Sequence, residues 1–311
     1  MSFAVVVSDI APLYTKPEPL CELADEALYG MVVEVLAREG MYCCVRTHYR
    51  YEGWTPARCL LEDGALAAQW QSVPKLVVQK PYIDVLNEPK VQGGCLQSMP
   101  RGAFLCPEGG PDENQWQPVR LADGRLGYTK ATYLAQLAPA WESVGEDELR
   151  QRLCGAALSY LGAQYRWGGK TPLGIDCSGL VSMAYLLNGV IIYRDAAIKP
   201  GFALHEISFE AAKPGDLLFF PGHVAMYLGD GYYVEAPHTG DVVKITAMND
   251  KLPDFAKRVV DVRGIDMSEF SDEQLAQFVE REKYLQEREQ RLGVTDETLA
   301  ELTEWLRGLE F

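Results

Sequence analysis

Gly174-Ile175-Asp176-Cys177-Ser178-Gly179-Leu180-Val181-Ser182-Met183-Ala184-Tyr185-Leu186-Leu187 is the stretch on which the reading of this chain turns. From Cys177 onward it is small or apolar at nearly every position, which predicts a mostly buried helix. Asp176 stands where an N-cap belongs, so Cys177 falls in the first turn. There the positive end of the helix dipole favours a thiolate. Cys154, by contrast, sits in the middle of a predicted apolar helix, where a thiol stays protonated and inert.

A nucleophilic cysteine needs a base, and the base needs something to hold it. The chain has four histidines: His48, His205, His223 and His238. His223 heads a predicted strand, Pro221-Gly222-His223-Val224-Ala225-Met226-Tyr227. A strand packed against the cysteine helix can present an imidazole to sulfur at hydrogen-bond range.

Working outward, a helix is predicted from Asp147 to Tyr160, with Leu149, Leu153, Ala156, Ala157 and Tyr160 at helical spacing. After the cysteine helix come strand-like runs at 216–220, 223–228, 232–235 and 242–245. Helix first and antiparallel strands after is the pattern of an α+β core. Upstream, short β-like runs separated by turns fill residues 1–68 and again 73–136. Glu52-Gly53-Trp54-Thr55 and Arg125-Leu126-Gly127-Tyr128-Thr129 each precede an Ala and a Leu-containing tail. This weak internal repeat predicts two small β-barrels in tandem. From 268 to 311 a Glu-rich background carries Leu275, Phe278, Leu285 and Leu292 near a heptad. That predicts a helical extension packed on its own body or on a second copy, the latter making a homo-oligomer.

Composition narrows the classes. The 311 residues, 48% hydrophobic and 23% charged, suit a soluble multidomain protein. A net charge of −15 argues against nucleic acid and anionic membrane surfaces as partners. No apolar run approaches the ~20 residues of a membrane span. Met1-Ser2-Phe3-Ala4-Val5-Val6-Val7 has no basic n-region, which points to the cytoplasm, although a secreted chain trimmed of its signal looks the same. Eight cysteines without a metal-site spacing read as buried free thiols of a reducing compartment. No His-x-x-x-His pair or glycine-rich phosphate loop speaks for a metal or other cofactor.

Four motifs occur in order: Tyr165-Arg166-Trp167-Gly168-Gly169, Asp176-Cys177-Ser178-Gly179-Leu180, Pro214-Gly215-Asp216-Leu217-Leu218-Phe219-Phe220, and Gly222-His223-Val224-Ala225-Met226-Tyr227-Leu228-Gly229-Asp230-Gly231. Together they resemble the NlpC-type papain-like cysteine peptidases, which cut bacterial cell-wall peptides. The resemblance implies domains at 1–68 and 73–136 (SH3-like barrels), 140–265 (papain-like peptidase) and 268–311 (helical extension). It implies Cys177 as nucleophile and His223 as general base, with Tyr165 and Trp167 of the first motif at the substrate site. The third member, usually polar and often His, falls on Glu235, and His238 competes for the role. A three-residue hairpin loop would put Glu235 on the face of His223, and a two-residue loop would put His238 there.

SH3-like barrels ahead of this domain resemble a subgroup that trims short, soluble wall peptides with a free N-terminal L-alanine, cutting between γ-linked D-glutamate and a diamino acid. The likeness implies that Asp176 and Ser178 contact the substrate, Asp176 pairing with its ammonium group as well as capping the helix. It also implies an aromatic and an acid lent by the first barrel, for which Tyr51 and Glu26 are the candidates. Arg194-Asp195-Ala196 resembles a loop motif of the subgroup. The competing readings are a binding protein for wall fragments without turnover, a lysin acting on polymeric peptidoglycan, and an acyl-transfer enzyme on the same scaffold.

Overall fold

The computed structural model describes residues 2–137, 144–202 and 204–248. The helical extension expected at 268–311 lies outside the described residues, as does the boundary around Pro139. Among the described residues, no helix is long and apolar enough to cross a membrane.

The first β-module comprises β1 (Ser2–Val6), β2 (Ile10–Tyr14), β3 (Leu23–Leu28), β4 (Val32–Glu39), β5 (Tyr42–Arg46), β6 (Glu52–Pro56) and β7 (Leu60–Leu61). Its strands bond in the order β3-β2-β6-β5-β4-β1-β7. The second comprises β8 (Leu76–Val78), β9 (Tyr82–Leu86), β10 (Cys95–Pro100), β11 (Phe104–Pro107), β12 (Trp116–Arg120), β13 (Leu126–Lys130) and β14 (Leu134–Gln136). Its order is β10-β9-β13-β12-β11-β8-β14, the same topology a second time. The expected barrels do not close. Each sheet ends in strands, β3 and β7 or β10 and β14, that bond on one side only.

The repeated glycine has a physical cause. A Cβ on Gly53 of β6 would stand 2.8 Å from Leu13 Cβ of β2, and one on Gly127 of β13 would stand 2.4 Å from Val85 Cγ1 of β9. The two modules therefore need the same absent side chain at the same crossing. Between them runs α1 (Gly64–Ser72), capped by Asp63, whose carboxylate accepts from Ala65 N at 2.9 Å and Leu66 N at 3.0 Å. A helix thus occupies the gap expected at 69–72, and Trp70 anchors it by donating to Gly30 O at 2.8 Å.

The third part begins with α2 (Glu146–Leu158), which has Glu146, Asp147 and Glu148 in its first turn, where the helix dipole favours acids. A two-stranded hairpin, β15 (Lys170–Thr171) and β16 (Gly174–Ile175), leads into α3 (Cys177–Leu186). An antiparallel sheet follows: β17 (Leu217–Phe220), β18 (His223–Gly229), β19 (Tyr232–Glu235) and β20 (Lys244–Ala247), bonded in chain order. The last strand starts later than the sequence suggests, because Val242 instead bridges Gln164. Nine of the ten residues of α3 are buried, and α3 packs on both α2 and β18.

One continuous apolar core joins the first module (Val6, Leu13, Leu28, Val45) to α3 (Leu180, Met183) and β18 (Val224, Met226). The second module has its own core around Ile83, Val85 and Leu105. All eight cysteines are free thiols, but only Cys43, Cys59, Cys106 and Cys177 are buried; Cys21, Cys44 and Cys154 are partly buried and Cys95 is exposed.

Gly127→Ala should lower stability by about 1–3 kcal/mol, because the added methyl overlaps Val85. A thermal melt reads this directly; an unchanged midpoint would mean that β9 yields without cost.

Candidate active site

Cys177 is the first residue of α3, behind the N-cap Asp176. Asp176 accepts from Gly179 N at 2.6 Å, closing the first turn. Gly179 is required there, since a Cβ would lie 2.2 Å from the Gly169 carbonyl oxygen. Cys154 differs in the expected way: it lies within α2, and burial pushes its thiol pKa up.

Across from α3, His223 opens β18, and its Nε2 lies 2.9 Å from Glu235 Oε2 on β19. Glu235 is ionised and accepts, so Nε2 carries the hydrogen and Nδ1 is left for the Cys177 sulfur. Burial opposes a charged imidazole; hydrogen bonds to Cys177 and Glu235 outweigh it and raise the His223 pKa to about 9. Burial likewise works against the Glu235 charge, but His223 and Thr246 hold its carboxyl below the usual range. Thr246 Oγ1 of β20 donates to Glu235 Oε1 at 2.6 Å.

The hairpin explains which residue meets His223. Its turn has two residues, Asp230-Gly231, with Gly229 paired to Tyr232. The register then slips between Tyr227 and Gly229, leaving Leu228 as a bulge. The bulge restores the parity that a three-residue loop would have given, and Glu235 shares the His223 face. His238 is exposed, its Nδ1 3.0 Å from the Thr239 carbonyl.

Asp176 and Ser178 flank Cys177, but both are already engaged. Besides Gly179 N, Asp176 accepts from Ser178 Oγ at 3.2 Å, Gly168 N at 2.8 Å, and Arg194 Nη1 and Nη2 at 3.0 Å each. Arg194 Nη1 also donates to Ser178 Oγ at 2.8 Å. These bonds make Asp176 the helix cap, and a substrate ammonium that reached it would replace one of these donors. Arg194 is 1% exposed, and its Nε donates to Asp25 Oδ1 of β3 at 2.6 Å. Burial opposes its charge, yet Asp176 and Asp25 together raise its pKa well above normal. Lys170 reaches the same Asp25 oxygen at 2.8 Å and donates to Tyr49 Oη at 2.6 Å. Burial is the main cause that lowers the Lys170 pKa to about 8.

Glu26 is buried and paired with Arg166, and it accepts from Lys170 N at 3.0 Å. It braces the β15 strand instead of offering a free acid. Tyr51 stands beside Tyr193, ring centroids 6.2 Å apart, on the side of the Arg194 loop. Tyr165 is half-buried; desolvation first, then the nearby Cys177 and Asp176, push its phenol up to about 12. Trp167 is 60% exposed, its indole donating to Glu22 Oε1 at 3.0 Å. Asp25, Lys170 and Thr246 were absent from the sequence-based set, and Arg194 was in it only as part of a loop motif.

A cysteine at a helix start, beside an imidazole held by a carboxylate, can form a thiolate–imidazolium pair and transfer an acyl group. A model of the NlpC/P60 family matches residues 162–264. "Dipeptidyl-peptidase 6" of Lysinibacillus sphaericus is 42% identical over 253 residues, covering 80% of this chain and 93% of that one. "Gamma-D-glutamyl-L-lysine dipeptidyl-peptidase" of Bacillus cereus is 26% identical over 250 residues, covering 73% and 71%. The solved structure of an NlpC/P60 family protein from Bacillus cereus ATCC 10987 superposes with a TM-score of 0.68 at 22% identity, covering 80% of this chain and 95% of that one, a likeness of fold.

The His223 pKa is raised from 6.5 to about 9, so its stabilisation is complete below pH 6.5 and is lost as pH rises through 9. The linked stability is ~3 kcal/mol at most. Thermal melts from pH 6 to 10 should show this decline in the wild type and a flatter profile in Glu235→Gln. Equal slopes would mean that Glu235 does not set the imidazole pKa.

Proposed function

The chain belongs to the NlpC/P60 family and is a peptidase, and from that premise we propose a γ-D-glutamyl-L-diamino-acid endopeptidase acting on short peptidoglycan-derived peptides with a free N-terminal L-alanine. The observation that carries the chemistry is His223 Nε2 held 2.9 Å from Glu235 while the ring faces Cys177 at the start of α3. The bond cleaved is supported by the name of the relative that cuts γ-D-glutamyl-L-lysine peptides, and release of a dipeptide by the dipeptidyl-peptidase names.

In this reading the Cys177 thiolate attacks the γ-carbonyl of D-glutamate. The oxyanion is met by the backbone N–H of Cys177, which as the first helical residue has no partner within the helix. Imidazolium at His223 gives its proton to the leaving α-amine of the diamino acid, and the C–N bond breaks to leave a thioester. His223, now neutral, takes a proton from water, whose oxygen attacks the thioester and frees the acid and the thiolate. Tyr165, Trp167 and Tyr51 border the acyl side of the scissile bond. The two β-modules, repeating one topology, serve as an SH3-like tandem whose first member walls that side. Its core is continuous with that of α3.

Cys177→Ala should abolish detectable hydrolysis of L-alanyl-γ-D-glutamyl-diaminopimelate. The wild type should cleave this peptide and leave the N-acetylated one intact, as read by chromatography of the products. Equal cleavage of both would point to lysis of polymeric wall, and cleavage of neither would remove the substrate assignment.

A further inference from the structure

We propose that Thr246 is a positioning residue of the site: through its hydrogen bond it holds the Glu235 carboxylate turned toward His223. The inference rests on the reading of Cys177, His223 and Glu235 as the reacting set, and extends it to a fourth residue on a different strand. Glu235 is 8% exposed and has two oxygens with two different partners. Oε2 faces His223 Nε2 at 2.9 Å, and Oε1 accepts from Thr246 Oγ1 at 2.6 Å. The terminal torsion of a glutamate is soft and roughly two-fold, so one hydrogen bond alone does not fix the carboxylate plane. The second bond, coming from the neighbouring strand, does.

The backbone supplies the rigidity. β20 pairs with β19 with Thr246 opposite Tyr233 and Lys244 opposite Glu235. Tyr233 and Glu235 lie on one face of β19, so the threonine hydroxyl meets the carboxylate diagonally across the ladder. The β-branched side chain has few rotamers, which favours a single direction for the hydroxyl.

Charge on Glu235 has to be maintained against burial, and the groups that face the pair are few. Cys177 comes from α3, with Tyr165 near it; Tyr233 is on β19, and Lys244 is on β20. Lys244 is drawn off to Asp241, Nζ to Oδ2 at 2.5 Å. Tyr233 stays protonated, its phenol raised by burial and then by Glu235 itself, and it also hydrogen-bonds the Thr246 hydroxyl. Thr246 is therefore the neutral donor that shares the Glu235 carboxylate with His223.

The test uses the full chain with Thr246→Val, which keeps the shape and removes the hydroxyl, and Thr246→Ser, which restores it. Alkylation of Cys177 by iodoacetamide across pH 4–10 reports the thiolate–imidazolium pair without any peptide. Loss of a bond to a charged group corresponds to about tenfold. Thr246→Val should alkylate about tenfold more slowly near neutral pH and move its acid limb upward, because Glu235 protonates sooner; Thr246→Ser should stay near the wild type. With the peptide substrate, kcat should fall by a similar factor while KM changes little. A Thr246→Val profile that superposes on the wild type, or a serine variant no better than valine, would overturn the role of Thr246. A wild type without pH-dependent thiolate reactivity would instead overturn the Cys177–His223 reading and this inference with it.

Discussion

Arg194 is the charge around which the site is assembled. Its guanidinium is fully buried between Asp25 of the first β-module and Asp176, the cap of the helix that carries Cys177. Bringing an arginine into the interior costs several kcal/mol in desolvation unless geometry and hydrogen bonding are close to ideal. Here all three guanidinium nitrogens donate to four acceptor groups: Asp25, Asp176, Ser178 and the Gly169 carbonyl, the last at 3.2 Å. Lys170 and Arg194 face Asp25 and Asp176, so the cluster is neutral as a whole. Removing any one member leaves a buried charge unmatched, which makes the arrangement rigid rather than merely stable. The rigidity is passed to Cys177 because the residue just before it is one of the four.

The same interaction ties the two glycines of the Trp167-Gly168-Gly169 segment to the helix. Gly168 has φ +72° and offers its N–H to Asp176, and its missing Cβ makes room for the Leu23 carbonyl of β3. Gly169 presents its carbonyl to Arg194 where Gly179 leaves space for it. What looks in sequence like a flexible loop is a three-way contact between the first module, the β15–β16 hairpin and α3.

This explains what could and could not be read from the residues alone. Helix α3, its cap and Cys177 were legible because capping and burial are local, and β18 with His223 was legible because a strand after a turn is local too. The partner of His223 was not decidable, since its face depends on a single bulged residue, Leu228, that leaves no mark in the hydrophobic pattern. The role of strand β3 was not legible for a different reason. Its centre, Asp25 and Glu26, looks solvent-facing but is buried, each acid matched by a base far along the chain: Arg194 lies 169 residues from Asp25. Thr246 fell outside the strand predicted at 242–245, because the observed strand starts at Lys244. Ion pairs across long separations and small register shifts carry no periodic signature, and those were the features that escaped.

The burial of α3 also bears on what the β-modules are for. Met183 of α3 packs against the turn at Gly102 of the second module, where a Cβ would come within 2.4 Å of its Cε. Arg101 beside it donates to Ser159 Oγ at 2.7 Å at the end of α2. The first module contributes the Asp25 anchor and a shared core, the second a buttress behind both helices. Modules held in this way cannot swing out to grip a polymer while the peptidase works elsewhere, as tethered wall-binding domains would. The surfaces they turn toward the peptidase are already used to set the helix, and the first module also holds Trp167 through Glu22 and carries Tyr51. Under the proposed function, selection by such a site acts through what fits against a fixed wall, in keeping with short peptides rather than strands of intact polymer.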